Sequence, residues 1–287
     1  MRILLRSLLN MSDNLNIHEK TQRAVSAMMK RLGRDRFRRD EIFINQLNIE
    51  VPDLDPVFEG FKIVHYTDIH FGHWVSPQRL EGIVSLINEQ KADLVVNTGD
   101  FVSYLIDELA NDMITAFRKI EARDGSLAVL GNHDHWLDVH KVRMILAAGS
   151  VVELANDVWT VEREGAYLHV AGVDNISVCA DRLDEVMAKM PTSGPALMLA
   201  HEPDFADQTA ATGRFFLQLS GHSHGTQIIL PGLGPVLRGS HFKKYPHGLY
   251  QVGDMMQYTS NGVGTHAFRL RINCPPEIVV ITLNRER

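Results

Sequence analysis

Apolar positions along this chain follow two rhythms. Short unbroken runs occur at FKIVHYT (61–67), DLVVNTG (93–99), SLAVLG (126–131), ALMLA (196–200) and FFLQLSG (215–221). Aliphatic and β-branched runs of this length, bounded by polar residues, predict buried strands. Between them the period lengthens. Leu80, Ile83, Val84 and Ile87 share one helical face behind Ser76-Pro77, a good N-cap and first-turn pair. Residues 105–121 and 137–148 predict two more helices, the second stopped near Gly149. Asp181 is expected to cap a further helix that ends before Pro191. Strands are expected at 150–154, 158–162 and 166–171, and later at QIIL (227–230), MMQYTS (255–260) and EIVVITL (277–283). Strand–helix alternation from about Glu41, with no internal repeat, predicts one domain over 41–287: two sheets with packed inner faces and helices outside.

The ends of the five runs carry the chemistry. The first leads into Asp68 and His70, and the second into Asp100. The third leads into Asn132 and His133, the fourth into His201, and the fifth into His222 and His224. Ligands of open α/β sheets bind beyond the carboxyl ends of the strands, so these side chains should converge on one edge. Carboxylate, imidazole and amide oxygen together suit borderline metals such as Mn²⁺, Fe, Co²⁺ or Zn²⁺. Seven candidates, Asp68, His70, Asp100, Asn132, His201, His222 and His224, are too many for one tetrahedral ion and suit two. Gly99, Gly131 and Gly221 are expected to let the backbone turn sharply before a ligand. In an extended Gly-His-Ser-His segment, His222 and His224 would face the same way.

Composition narrows the field. The 287 residues carry a net charge of −6, which excludes an electrostatic nucleic-acid binder as a whole. Two cysteines, Cys179 and Cys274, form no disulfide framework and predict a reducing, cytoplasmic setting. No stretch approaches the ~18 apolar residues of a membrane span. The start, MRILLRSLLNM, is interrupted by Arg6 and lacks a small-residue cleavage site, so it is not expected to act as a signal peptide. Residues 1–40 form a basic arm, with eight basic residues and one acid between Lys20 and Arg39. Its narrow apolar stripe is expected to pack on its own domain or on a partner protomer. Peripheral contact with the inner membrane face is the alternative.

The ordered set Asp68-Ile-His70, Gly99-Asp100, Gly131-Asn132-His133-Asp134, His201 and Gly221-His222-Ser-His224-Gly225 resembles the calcineurin-like metallophosphoesterase superfamily over about residues 60–283. GHSHGTQIILPGLGP (221–235) and NGVGTHAFRLRINCPPEIVVITL (261–283) resemble a bacterial phosphodiesterase-type subgroup, some of whose members act on lipid-linked substrates. The resemblance implies an α/β fold, a four-layer αββα sandwich of two mixed β-sheets flanked by helices. It also implies two metal ions. Asp68, His70 and His224 would hold the first, Asn132, His201 and His222 the second, and Asp100 both. His133 would stabilise transition-state charge and protonate the leaving oxygen, with Asp134 orienting it or capping the following helix. Direct attack by a metal-bridging hydroxide would hydrolyse a phosphoester.

One departure bears on the substrate. In the protein Ser/Thr phosphatases of this superfamily the Gly-Asp motif extends to an Asp-Arg pair, whose Arg binds phosphate. Here those positions hold Ser103 and Tyr104. Loss of the guanidinium fork predicts a phosphodiesterase rather than a phosphoprotein phosphatase. A phosphomonoesterase or nucleotide-lipid pyrophosphatase on the same fold is the alternative, and a metal-binding scaffold without catalysis a remoter one. His73 and His135 are candidates to line the cleft. Arg238, Lys243 and Lys244 are expected in a solvated loop.

Overall fold

The computed structural model describes residues 37–103, 106–235, 239–265 and 270–286, together with Met28. In chain order the elements are β1 (Phe43–Val51), β2 (Lys62–Tyr66), α1 (Pro77–Glu89), β3 (Leu94–Asn97), α2 (Ile106–Phe117), β4 (Ser126–Ala128), α3 (Asn132–Ala148), β5 (Val152–Glu153), β6 (Asp157–Arg163), β7 (Ala166–Gly172), α4 (Leu183–Lys189), β8 (Ala196–Leu199), α5 (Ala206–Ala211), β9 (Leu217–Ser220), β10 (Ile229–Leu230), β11 (Gly234–Pro235), β12 (Gly248–Val252), β13 (Met255–Thr259) and β14 (Glu277–Arg285). Two six-stranded sheets run in the orders β1-β14-β2-β3-β4-β5 and β12-β13-β9-β8-β7-β6. Both are mixed: β2 through β5 pair parallel while β14 opposes β2, and β7 through β9 and β13 pair parallel while β6 and β12 oppose their neighbours.

Three apolar layers hold the stack together. Val279, Ile281 and Leu283 of β14 point between the sheets, where they join Leu168, Val170, Leu197, Leu199, Leu217 and Leu219. Ile278 and Val280 point outward into a second core with α1, α2 and α3. On the far face, Met198 and Ala200 pack with Val186 of α4 and Ala206 of α5. Side-chain alternation along each strand thus feeds a helix layer on one face and the sheet interface on the other. This is the expected four-layer αββα arrangement.

Strand register aligns the site. Tyr66 pairs with Asn97 and Asn97 with Ala128, so β2, β3 and β4 end level. Leu199 pairs with Leu219 in the facing sheet. The loops after these five strands therefore leave from a common edge.

Several local expectations change. The helix expected from 137 begins at Asn132, and Asp138 (φ −166°, ψ 89°) breaks it. Asp138 accepts the Lys141 backbone N–H, so it caps the second part while 132–137 forms a separate first turn. Arg182, not Asp181, occupies the N-cap of α4. QIIL contributes only Ile229–Leu230, paired with β11 in a small hairpin outside the main sheets. β1, β12 and α5 were not anticipated. β1 is an edge strand in which only Ile49 and Val51 are buried, so its sequence FINQLNIEV carries little apolar signal. Most of the basic arm lies outside the described residues. At its end Phe37 packs on the core beside α1, and the exposed Arg39 pairs with Glu89 of that helix. No described helix is long and apolar enough to cross a membrane.

Candidate metal centre

The five loops bring six of the seven candidate ligands into two joined clusters. Asp68, His70, Asp100 and His224 place ligand atoms within 4.8 Å of one another, and so do Asp100, His201 and His222. Asp100 belongs to both. Its Oδ2 lies 3.4 Å from His70 Nε2 and 3.4 Å from His201 Nε2. Its Oδ1 accepts the His133 backbone N–H at 2.9 Å. One oxygen thus faces both clusters while the other ties down the Gly-Asn-His loop.

The backbone reaches this geometry through unusual dihedrals. Asp68, His70, Asp100, His222 and His224 all have positive φ, between 46° and 68°. Such non-glycine conformations cost about 1–3 kcal/mol each and persist where the surroundings enforce them. Here the loops lace each other. Asp68 N–H donates to Gly99 O, His70 N–H to Asp100 O, and Gly264 N–H to Asp68 O. The expected extended His222-Ser-His224 segment is replaced by a turn, with His224 opening a short 3₁₀ helix through Thr226. The two imidazoles still fall in different clusters, as expected, but they reach them from a turn rather than from an extended strand end.

Two of the three glycines act differently from expectation. Gly99 has φ +98° and needs its freedom. Gly131 has φ −98°, open to any residue. Its role is clearance, since a Cβ there would collide with the Asp100 carboxylate. A Cβ at Gly221 would collide with Asp68 Oδ2 and Thr67 Oγ1.

Hydrogen bonds on the outer nitrogens aim the imidazoles inward. His201 Nδ1 lies 2.6 Å from Thr98 O, and His222 Nε2 lies 3.1 Å from Ser240 O. Donation to these carbonyls turns His201 Nε2 and His222 Nδ1, 3.2 Å apart, toward the cluster. His70 Nδ1 lies 2.7 Å from Ser103 Oγ, while His70 Nε2 and His224 Nε2 approach to 2.9 Å. Ser103, three residues after Asp100, therefore orients a ligand histidine rather than His133. Spacing alone marks it, since it occupies the Asp position of the protein phosphatases.

Two observations test whether these residues fit metal ions. Asn132 Oδ1 is buried and has no hydrogen-bond partner, although buried amide oxygens almost always have one. The electrostatics point the same way. Burial, reinforced by the Asp100 charge, pushes Asp68 up to about 7. Burial acts on Asp100 too, yet His201, His133 and His70 hold it well below the usual carboxylate range. His201 is raised to about 10 by Asp100 against its own burial, and burial with the His201 charge lowers His222 to about 4. Protons on Asp68 and His201 fill places that a cation would take. The donor set fits borderline divalent ions.

The remaining candidates separate. His133 stands beside the cluster, its ring edge-to-face with His70 at 4.7 Å. The Asp134 carboxylate accepts the backbone N–H groups of Gly131, Phe101 and Val102, stapling two of the site's loops. His135 Nε2 lies 2.7 Å from Asp174 Oδ1, which ties the first turn of α3 to the loop after β7. His73 is buried with Nδ1 3.1 Å from Thr265 O. Lys243 and Lys244 donate backbone N–H to Asp204, and the Lys244 ammonium pairs with Asp207. Tyr104 and Arg238 lie outside the described residues. Glu202, buried beside His201, was missed by sequence; it binds the backbone N–H and hydroxyl of Ser177 and the amide of Asn175.

Comparison with known proteins agrees with this geometry. A family model described as calcineurin-like phosphoesterase matches residues 61–225. The uncharacterized metallophosphoesterase YkuE of Bacillus subtilis is 33% identical over 232 residues, covering 79% of this chain and 80% of that one. An uncharacterized metallophosphoesterase of Campylobacter jejuni is 27% identical over 252 residues, covering 85% of this chain and 64% of that one. Phosphodiesterase YaeI of Escherichia coli is 26% identical over 230 residues, covering 78% and 82%. The chain thus spans less than two thirds of the Campylobacter protein's length.

The Ser103 contact generates a prediction. Ser103→Ala removes the hydroxyl on His70 Nδ1 and should weaken the tighter metal-binding step by about 10–100-fold, the usual effect of losing such a partner. Calorimetric titration with Mn²⁺ measures it; unchanged affinity would remove Ser103 from the site.

Proposed function

The chain belongs to the calcineurin-like phosphoesterase family, and we propose that it hydrolyses phosphodiesters at a dinuclear metal centre. The observation that carries this reading is Asp100 Oδ2, equidistant at 3.4 Å from His70 Nε2 of one cluster and His201 Nε2 of the other. Asp68, His70 and His224 would hold one ion; Asn132, His201 and His222 would hold the second; Asp100 would bridge them. Mn²⁺ heads the candidates, with Fe, Co²⁺ and Zn²⁺ after it. Bound as a pair, such ions lower the pKa of water from 15.7 toward about 7 and neutralise charge on phosphoryl oxygens.

The protein's own groups do the rest. Asp100 Oδ1 fixes the start of α3 through the His133 backbone, which keeps the imidazole at the edge of the cluster. From there His133 donates a proton to the leaving oxygen as its bond to phosphorus breaks. Thr98 O, Ser240 O and Ser103 Oγ hold the other imidazoles against rotation, so the ligand nitrogens are preorganised.

Diester preference rests on charge. Among the described residues, two guanidinium groups tied to the site's loops are already engaged. Arg143 binds Glu153 and Asp174. Arg271 donates to the carbonyls of Asn261, Gly264 and His224. Neither of these two forks is free to neutralise a dianionic monoester. The likeness to phosphodiesterase YaeI supports the same reading.

The deciding assay loads the protein with Mn²⁺ and compares bis(4-nitrophenyl) phosphate with 4-nitrophenyl phosphate at neutral pH. The diester is expected to show the higher kcat/KM, and a preference for monoesters and phosphopeptides would overturn the proposal. His133→Ala tests the acid. Metal content should survive, and turnover should fall by about 10²–10⁴-fold on an alkyl leaving group and distinctly less on nitrophenolate. Equal losses on both would leave His133 only a charge-stabilising role.

A further inference from the structure

Trp136 is 63% exposed, although an indole is among the largest apolar groups the chain has to bury. Its neighbours explain why the core does not claim it. Leu137 and Val139 make the apolar contacts of this segment with the outer core. The break at Asp138 detaches residues 132–137 from the rest of α3. That first turn is held by its own side chains: Asn132 is buried, Asp134 staples the Gly-Asp loop, and His135 is tied to Asp174. Residues three apart on a helical turn share a side, so Trp136 falls on the side of His133. The ring centroids are 5.0 Å apart with an interplanar angle of 55°. This tilt leaves an indole face uncovered by His133.

Resting on the phosphoesterase reading above, we propose that Trp136 is a stacking platform for a planar aromatic group carried by the leaving side of the substrate. His133 delivers its proton to the leaving oxygen, so whatever is attached to that oxygen extends past His133 and over the indole. A planar ring covers that exposed face; a flexible polyol does not. Trp136 thereby favours substrates whose leaving group bears a nucleobase-like or aryl ring over those ending in a small alcohol. The phosphoryl end is held as before, and no change in the chemical step is required.

The test uses two phosphates that differ in the group beyond the ester oxygen. Adenosine 5′-monophosphate and glycerol 3-phosphate are titrated calorimetrically into the Mn²⁺-loaded protein, with indole fluorescence followed in parallel. The wild type should bind the adenosine compound about tenfold more tightly, as expected for one base stacked on an aromatic side chain, and its fluorescence should be quenched. Trp136→Leu should bring the two affinities within about twofold by weakening only the adenosine compound, and should abolish the quench. Trp136→Phe should keep most of the preference. Binding of both phosphates with no preference in the wild type, or a preference that survives in Trp136→Leu, overturns the platform alone. Failure of the adenosine compound to bind the loaded wild type also overturns the platform, whereas the phosphoesterase reading falls only if the loaded protein hydrolyses no nitrophenyl ester.

Discussion

The site depends on where the two oxygens of Asp100 go. Oδ1 accepts the backbone N–H of His133, and Oδ2 looks at an imidazole nitrogen from each cluster. The first contact is possible only where the loops after β3 and β4 pass within touching distance. Gly131 can therefore have no Cβ, and Gly99 must take φ +98°. Asp134 completes the lock by accepting N–H groups from both loops. A single carboxylate thus fixes the spacing of two loops, the start of α3, and the distance between two ligand groups.

This arrangement is costly in isolation. Five candidate ligands sit in the left-handed region, Asn132 Oδ1 lacks a partner, and pairs of imidazole nitrogens crowd to 2.9 and 3.2 Å. The two packed sheets meet that cost. Level strand ends and three apolar layers leave the loops little room to relax. Binding a cation would relieve the same features, because each is a donor atom awaiting positive charge. Stability is spent at the edge that does the chemistry.

The sequence showed the ligand-bearing strands because each is a continuous apolar run that stops at a metal-binding residue. It hid β1, whose edge position leaves only Ile49 and Val51 buried. It misplaced the start of α3, because Asp138 caps the longer segment and conceals the turn that begins at Asn132. Which side chains gather at one edge was legible; the backbone geometry that carries them there was not. His222 and His224 read as an extended pair; both adopt left-handed backbone, although each falls in the cluster expected of it. Gly131 and Gly221 read as turn residues, whereas contact with Asp100 and Asp68 across the fold excludes a side chain there. His135 looked free to meet substrate, but Asp174, nearly forty residues on, holds it. Such long-range pairings leave no mark in local spacing.

The most direct measurement of the bridged centre is metal stoichiometry in parallel variants, by elemental analysis after loading with Mn²⁺ and desalting. The wild type should retain two ions per chain. His201→Ala should retain close to one, because Asp68, His70, Asp100 and His224 still form a cluster. Asp100→Ala should lose both together, with turnover gone. An Asp100→Ala protein that keeps two ions and near-normal turnover would contradict the account, as would a wild type fully active with one ion or fewer.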